Sequence, residues 1–99
     1  MKKLFISQPM RGKTVAMIKA ERTRAIQRAK ELVGEPVKVI ESFFENATVN
    51  ANPLCYLGKS LELLSYADIA YFASGWKDAR GCKIEHTCAL EYGIVCIEE

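Results

Sequence analysis

Glu85 is an acid whose neighbours in sequence are wrong for a solvated charge. On a helix, the positions at minus three, plus three, plus four and plus seven are Cys82, Cys88, Ala89 and Tyr92, all on one apolar stripe, whereas Lys83, Thr87 and Glu91 take the far side. The carboxylate therefore faces the packed side. Burying an ionised carboxyl is costly unless it is hydrogen-bonded or paired, so an acid placed there near a helix start is a functional candidate. The plainer reading is an early-helix glutamate favoured by the macrodipole and partly solvated. Spacing alone leaves both open.

A second place is Gln8-Pro9-Met10-Arg11-Gly12, which joins a short apolar run to a helical pattern. Free backbone N–H groups and the positive end of a helix can hold an anion there, with Arg11 as a bidentate phosphate ligand. A plain turn with a solvated arginine fits the same residues. Ser7 to Thr14 also lies one residue from a P-loop, because Gly-x-x-x-x-Gly-Lys-Thr needs glycine where Ser7 stands. Pro9 lacks an N–H that a phosphate cradle uses, and the chain is small for such a domain, so that reading is rejected. Cys82 and His86 are one turn apart, but two ligands do not make a metal site, and a solvated histidine beside a packed thiol is expected. Trp76 is placed either to stack on a base or to cover the core.

These residues need elements to position them. Lys3 to Ser7 reads as a buried strand, and from Thr14 the period changes: Val15, Ile18, Arg22, Ala25, Ile26, Ala29, Leu32 and Val33 recur at helical spacing until Gly34 and Pro36. Arg22, Arg24 and Arg28 are expected on a solvated helix face. Pro36 to Ile40 is a second strand, and Glu41 to Ala51 a long polar loop. Asn52 as N-cap and Pro53 open a helix with a Leu57, Leu61, Leu64 stripe that ends near Tyr66. Asp68 to Phe72 is a third strand, about Arg80 to Tyr92 a third helix, and Ile94 to Ile97 a last strand. Strict alternation of strand and helix implies an α/β three-layer domain with a small parallel sheet, Rossmann- or flavodoxin-like, in spatial order 2-1-3-4. Ligands bind where such winding reverses, at the carboxyl ends of strands one and three. Ser7 to Thr14, Ala73 to Asp78 and the start of the third helix converge there.

At 99 residues the chain is one domain, and 49% hydrophobic with 26% charged residues fits a folded globule. A net charge of +2 argues against a duplex nucleic-acid surface. No stretch nears the roughly 20 apolar residues that span a bilayer, and the short run Leu4 to Ile6 is no signal-peptide core. Four cysteines without a Cys-x-x-Cys pair are expected as reduced packing thiols, so the expected location is cytoplasmic. Two sheet edges make a homodimer the expected assembly.

Taken together, Leu4-Phe5-Ile6-Ser7-Gln8-Pro9-Met10-Arg11-Gly12, Ala67 to Phe72, Gly75-Trp76 and Arg80-Gly81-Cys82-Lys83-Ile84-Glu85 with Ala89 and Gly93 resemble the nucleoside 2-deoxyribosyltransferase-like superfamily. More narrowly they are similar to its compact bacterial and phage branch, in the right order over nearly the whole chain. The resemblance implies that Glu85 is the nucleophile on the anomeric carbon of a deoxyribonucleoside or its 5′-monophosphate. It implies double displacement through an oxocarbenium-like transition state, by hydrolysis or base exchange, with no cofactor and no metal. It assigns sugar or phosphate binding to the first turn, where Arg11-Gly12 matches the monophosphate hydrolases. The candidate substrate residues are Ser7, Gln8, Pro9, Met10, Arg11, Gly12, Gly75, Trp76, Arg80 and Gly81. The sequence departs from the superfamily twice. Ala79 stands where an aspartate or serine precedes the nucleophile by six residues, with Asp78 one step off as the candidate acid. Ser60 stands where an aspartate precedes the third strand. The alternative expectation is a nucleotide-binding module of the same fold without catalysis.

Overall fold

The four residues Leu4 to Ser7 are buried on both sides, which an apolar strand attains only in the middle of a sheet covered by helices. They end β1 (Lys2–Ser7) in a computed structural model that describes residues 1–43 and 52–99. The chain continues through α1 (Val15–Val33), β2 (Val37–Val39), α2 (Pro53–Leu64), β3 (Ile69–Phe72), a 3-10 turn at Trp76–Asp78, α3 (Arg80–Glu91) and β4 (Val95–Glu98). The four strands form one parallel sheet in the order β2-β1-β3-β4. Each element lies within two residues of its expected bounds. Residues 44–51 of the expected polar loop lie outside the described residues.

The helix ends follow from local chemistry. Thr14 accepts the Met17 N–H at 3.2 Å, and Gly34, at φ 71°, closes α1 by donating to the Lys30 carbonyl. Asn52 Oδ1 accepts the Cys55 N–H at 2.9 Å with Pro53 in the first turn of α2.

Two apolar layers sandwich the sheet. Leu4, Ile6, Ile69 and Tyr71 pack against Ala25 and Ala29 of α1, while Phe5, Ala70 and Phe72 pack against Leu64 of α2 and Cys82 and Ala89 of α3. Alternation along β1 therefore sends Ile6 to the α1 side and Ser7 to the α3 side. On the α1 side the Tyr71 hydroxyl donates to Glu99 at 2.5 Å, and Arg24 pairs with the same carboxylate.

Arg22 corrects the expectation of a solvated arginine face. It is buried, donating to the Ile40 carbonyl at 3.0 Å and to Ser42 Oγ at 3.3 Å, and Ser42 in turn donates to the Ile6 carbonyl at 3.4 Å. β2 is only three residues long, so the chain leaving it offers carbonyls that no further strand satisfies, and the guanidinium caps one. Arg24 and Arg28 do stay exposed. Tyr92 also departs from the expected stripe: helical hydrogen bonding ends at Glu91, and Tyr92 is 84% exposed. No helix among the described residues is long and apolar enough to cross a membrane.

Gly75 joins the two turns at the carboxyl edge. Its φ is +86°, and a Cβ there would lie 3.4 Å from Pro9 Cγ, so the turn after β3 rests on the turn after β1. The contact leaves room for a methyl, but the left-handed backbone does not suit one. Gly75→Ala is expected to lower unfolding free energy by ~1–2 kcal/mol, measured by urea denaturation.

Candidate active site

Two consecutive residues occupy the point where the winding reverses, and they face opposite layers. Ser7, 2% exposed, ends β1 opposite Phe72 of β3 and points toward α3. Gln8 turns the other way, its Nε2 donating to the Ile18 carbonyl of α1 at 3.1 Å. Its Oε1 is buried without a hydrogen-bond partner among the described residues.

The Ser7 hydroxyl donates to Glu85 Oε1 at 2.6 Å, and Glu85 is 7% exposed in the second turn of α3. The hydroxyl of Ser60 on α2 lies on the same side and also favours the charged form of the carboxyl. Strand β1 and both helices of one layer thus meet on this side chain. Burial pushes its pKa from 4.5 up to about 7, and the Ser7 and Ser60 hydroxyls oppose that shift. No cation among the described residues contributes. The solvated alternative for Glu85 therefore fails, and a buried acid without an ion-pair partner remains.

Cys82 lies one turn before Glu85 and is 4% exposed. Burial pushes its thiol up to about 11; the Ser7 hydroxyl and the Lys13 ammonium oppose this, while the Glu85 charge adds to it. The thiol is protonated at neutral pH and is no nucleophile. Lys13 pairs with Glu21 at 2.7 Å.

Sequence reasoning did not assign Lys13 or Ser60 to the site. Lys13 stood out only as the lysine of a rejected P-loop. Ser60 registered only as a missing aspartate, although it shares the stripe of Leu57 and Leu64, three and four residues away, and that spacing points it at the neighbouring layer.

The other candidates divide. Pro9 is half-buried against Gly75; Met10, Arg11 and Gly12 form an exposed turn closed by the Lys13 N–H on the Met10 carbonyl at 3.2 Å. Arg80 is exposed and Gly81 half-buried in the first turn of α3, whose N-cap, Ala79, provides no side-chain cap. Asp78 is exposed in the 3-10 turn, its N–H donating to the Gly75 carbonyl at 3.1 Å. Trp76 covers the core: it is 7% exposed, with its ring 5.5 Å from Phe72 and 4.3 Å from His86. His86 differs from the solvated side chain expected, because this aromatic cluster holds its ring and Glu98 Oε2 meets its Nε2 at 2.5 Å. No group of three or more potential metal ligands occurs among the described residues. The shallow depression bounded by Met1, Lys2, Glu35, Pro36 and Asp68 lies at the opposite, amino edge of the sheet.

No family model matches the chain, and neither a curated protein nor a solved structure matches it.

The raised pKa of Glu85 fixes a sign for stability. Below about pH 4.5 the carboxyl is protonated in both folded and unfolded chains; between about 4.5 and 7 the unfolded chain loses its proton first, so stability falls; above 7 the penalty is complete. Glu85→Gln is expected to flatten this slope and to stabilise the protein at pH 8, relative to its effect at pH 4, by ~3 kcal/mol. Denaturant midpoints of both proteins across that range provide the measurement.

Proposed function

We propose that the protein cleaves or transfers the N-glycosidic bond of a deoxyribonucleoside or its 5′-monophosphate, with Glu85 as the nucleophile. The observation that carries this reading is a 7% exposed carboxyl, held by hydroxyls and paired with no cation among the described residues, beside the reversal point of a parallel sheet. The likeness of its sequence pattern to the nucleoside 2-deoxyribosyltransferase-like superfamily supports the same assignment.

In the first step a Glu85 oxygen bonds to the anomeric carbon as the bond to the base nitrogen breaks, and the base leaves with that electron pair and takes up a proton. Water or a second base then attacks the glycosyl ester, and the carboxylate is released. A carboxyl with a pKa of about 7 is half ionised at neutral pH, so this step gains rate as pH rises through 7. The turn Met10-Arg11-Gly12 and the uncapped start of α3 at Arg80-Gly81 provide amide and guanidinium donors for sugar or phosphate. All four cysteines are free, consistent with a reducing cytoplasm, and the edge strands β2 and β4 are the surfaces through which a homodimer would form.

Asp78 is the candidate proton donor, and its exposure favours a second reading. Ala79 provides no acid, and Ser60 holds the nucleophile without offering a proton at neutral pH. Loss of the acid costs catalysis ~10²–10⁴-fold, which a module that only binds nucleotides would not feel.

Incubation with deoxynucleosides and their monophosphates, followed by chromatography for free base, separates the two. The enzyme is expected to release base and Glu85→Gln to release none; ligand-induced thermal shifts with no base from either protein would establish the binding module instead.

A further inference from the structure

Among the described residues no strand lies against the outer edge of β4, and the groups exposed there can be placed one by one. The Glu99 N–H donates to the Phe72 carbonyl at 2.9 Å, and in a parallel ladder alternate residues bond to the same neighbour. Val95, Ile97 and Glu99 therefore face β3. Ile94, Cys96 and Glu98 turn their backbone groups outward; of these the Ile94 N–H is taken by the Ala89 carbonyl at 2.9 Å. The two edges of the sheet differ in what keeps another strand away. β2 has three residues, follows Pro36 and carries Lys38, and Arg22 binds the chain leaving it to α1. Short length, proline and lysine all guard an edge. β4 is Val-Cys-Ile-Glu, without lysine or proline, and apolar side chains flank it on both faces. Val95, 61% exposed, is on the α1 side with Ile97. Leu90, 58% exposed, stands four residues past His86, whose ring meets Glu98, so it lies on the flank of α3 that turns to β4.

We propose that β4, and not β2, is a dimer interface: a second copy of this chain adds its own β4 antiparallel, about a two-fold axis through Cys96, and the two four-stranded sheets become one. The outward groups are their own complement in that arrangement. The Cys96 N–H of each copy meets the Cys96 carbonyl of the other, and the Glu98 N–H meets the Ile94 carbonyl. Val95 comes opposite Ile97 on the α1 side, with Cα atoms about 4.5 Å apart, and Leu90 borders the seam between the two α3 helices. Both lose contact with water. That burial matters because backbone bonds at an edge largely replace bonds to water, whereas covering apolar surface is a net gain. The interface draws on no part of the glycosidic reading.

Sedimentation equilibrium of the whole chain at micromolar concentration tests this, with circular dichroism to show that each variant is folded. The parent is expected at twice the monomer mass. Val95→Lys changes a side chain that one copy leaves exposed, and it is expected to give a folded monomer. Cys96→Pro removes an N–H that points away from β3, so it spares the ladder within one copy while deleting both bonds on the two-fold axis; it too is expected to be monomeric. Lys38→Glu, on the opposite edge, is expected to stay dimeric. A monomeric parent overturns the proposal, including the case in which the edge takes a strand from a different protein. A Val95→Lys protein that remains a dimer overturns it as well, and decides the matter if Cys96→Pro does not fold. So does loss of the dimer in Lys38→Glu, which would place the interface on β2. The readout is mass, so the outcome is independent of whether any base is released.

Discussion

The hydrogen bond from Ser7 to Glu85 is the joint on which the carboxyl edge of this molecule depends. It is 2.6 Å long and spans 78 residues of sequence, tying the first strand to the last helix. A carboxyl at 7% exposure is costly in proportion to how poorly it is solvated, and the shift of its pKa to about 7 shows that two hydroxyls only partly replace water. An apolar side chain would fill the same volume more stably. A fold that keeps a charge-bearing group where packing would prefer none is the usual mark of a site whose stability yields to function.

Topology places that group. Because β2 lies on one side of β1 and β3 on the other, the chain leaving β1 turns toward one helical layer and the chain leaving β3 toward the other. Ser7 and Gln8 straddle the gap, one bonded to α3 and the next to α1. A dipeptide with its side chains on opposite faces thus fixes both layers to the strand end where they diverge. Gly75 completes the edge, since its left-handed backbone lets the turn after β3 lie on Pro9.

Most of this architecture was legible because the signals were local. Asn52-Pro53, Gly34 and the three- and four-residue spacings each state a helix boundary or a buried face, and strand–helix alternation then admits few parallel topologies. Spacing put Glu85 on the apolar stripe of its helix but left a partly solvated acid open, and its 7% exposure decides between them. What the sequence hid were partners made by tertiary contact. Arg22 lies on the apolar stripe of α1 by spacing, and only the early end of β2 explains how its charge is satisfied. His86 looked solvated until Phe72 and Trp76 closed on its ring. Ser60 looked like an absence because a missing aspartate is visible in a pattern, whereas a hydroxyl pointing across a helix–helix contact is not.

No cation among the described residues acts on Glu85, which has a consequence for catalysis of the proposed kind. A carboxylate already paired with lysine or arginine would be stable in the resting protein and would gain little from a further positive charge. Among the described residues the ionised form is favoured by Ser7 and Ser60, and burial works against it. A sugar approaching an oxocarbenium ion would bring the missing charge into contact with that carboxylate, in surroundings where Coulombic attraction is poorly screened. A neutral nucleoside in the ground state brings no such charge. The interaction would therefore strengthen as the C–N bond breaks, which is the differential binding that lowers a barrier rather than merely tightening the substrate complex. On this view the pKa of about 7 and the proposed nucleophilic role have one cause: burial that destabilises the resting anion leaves it more to gain when the transition state supplies a cation.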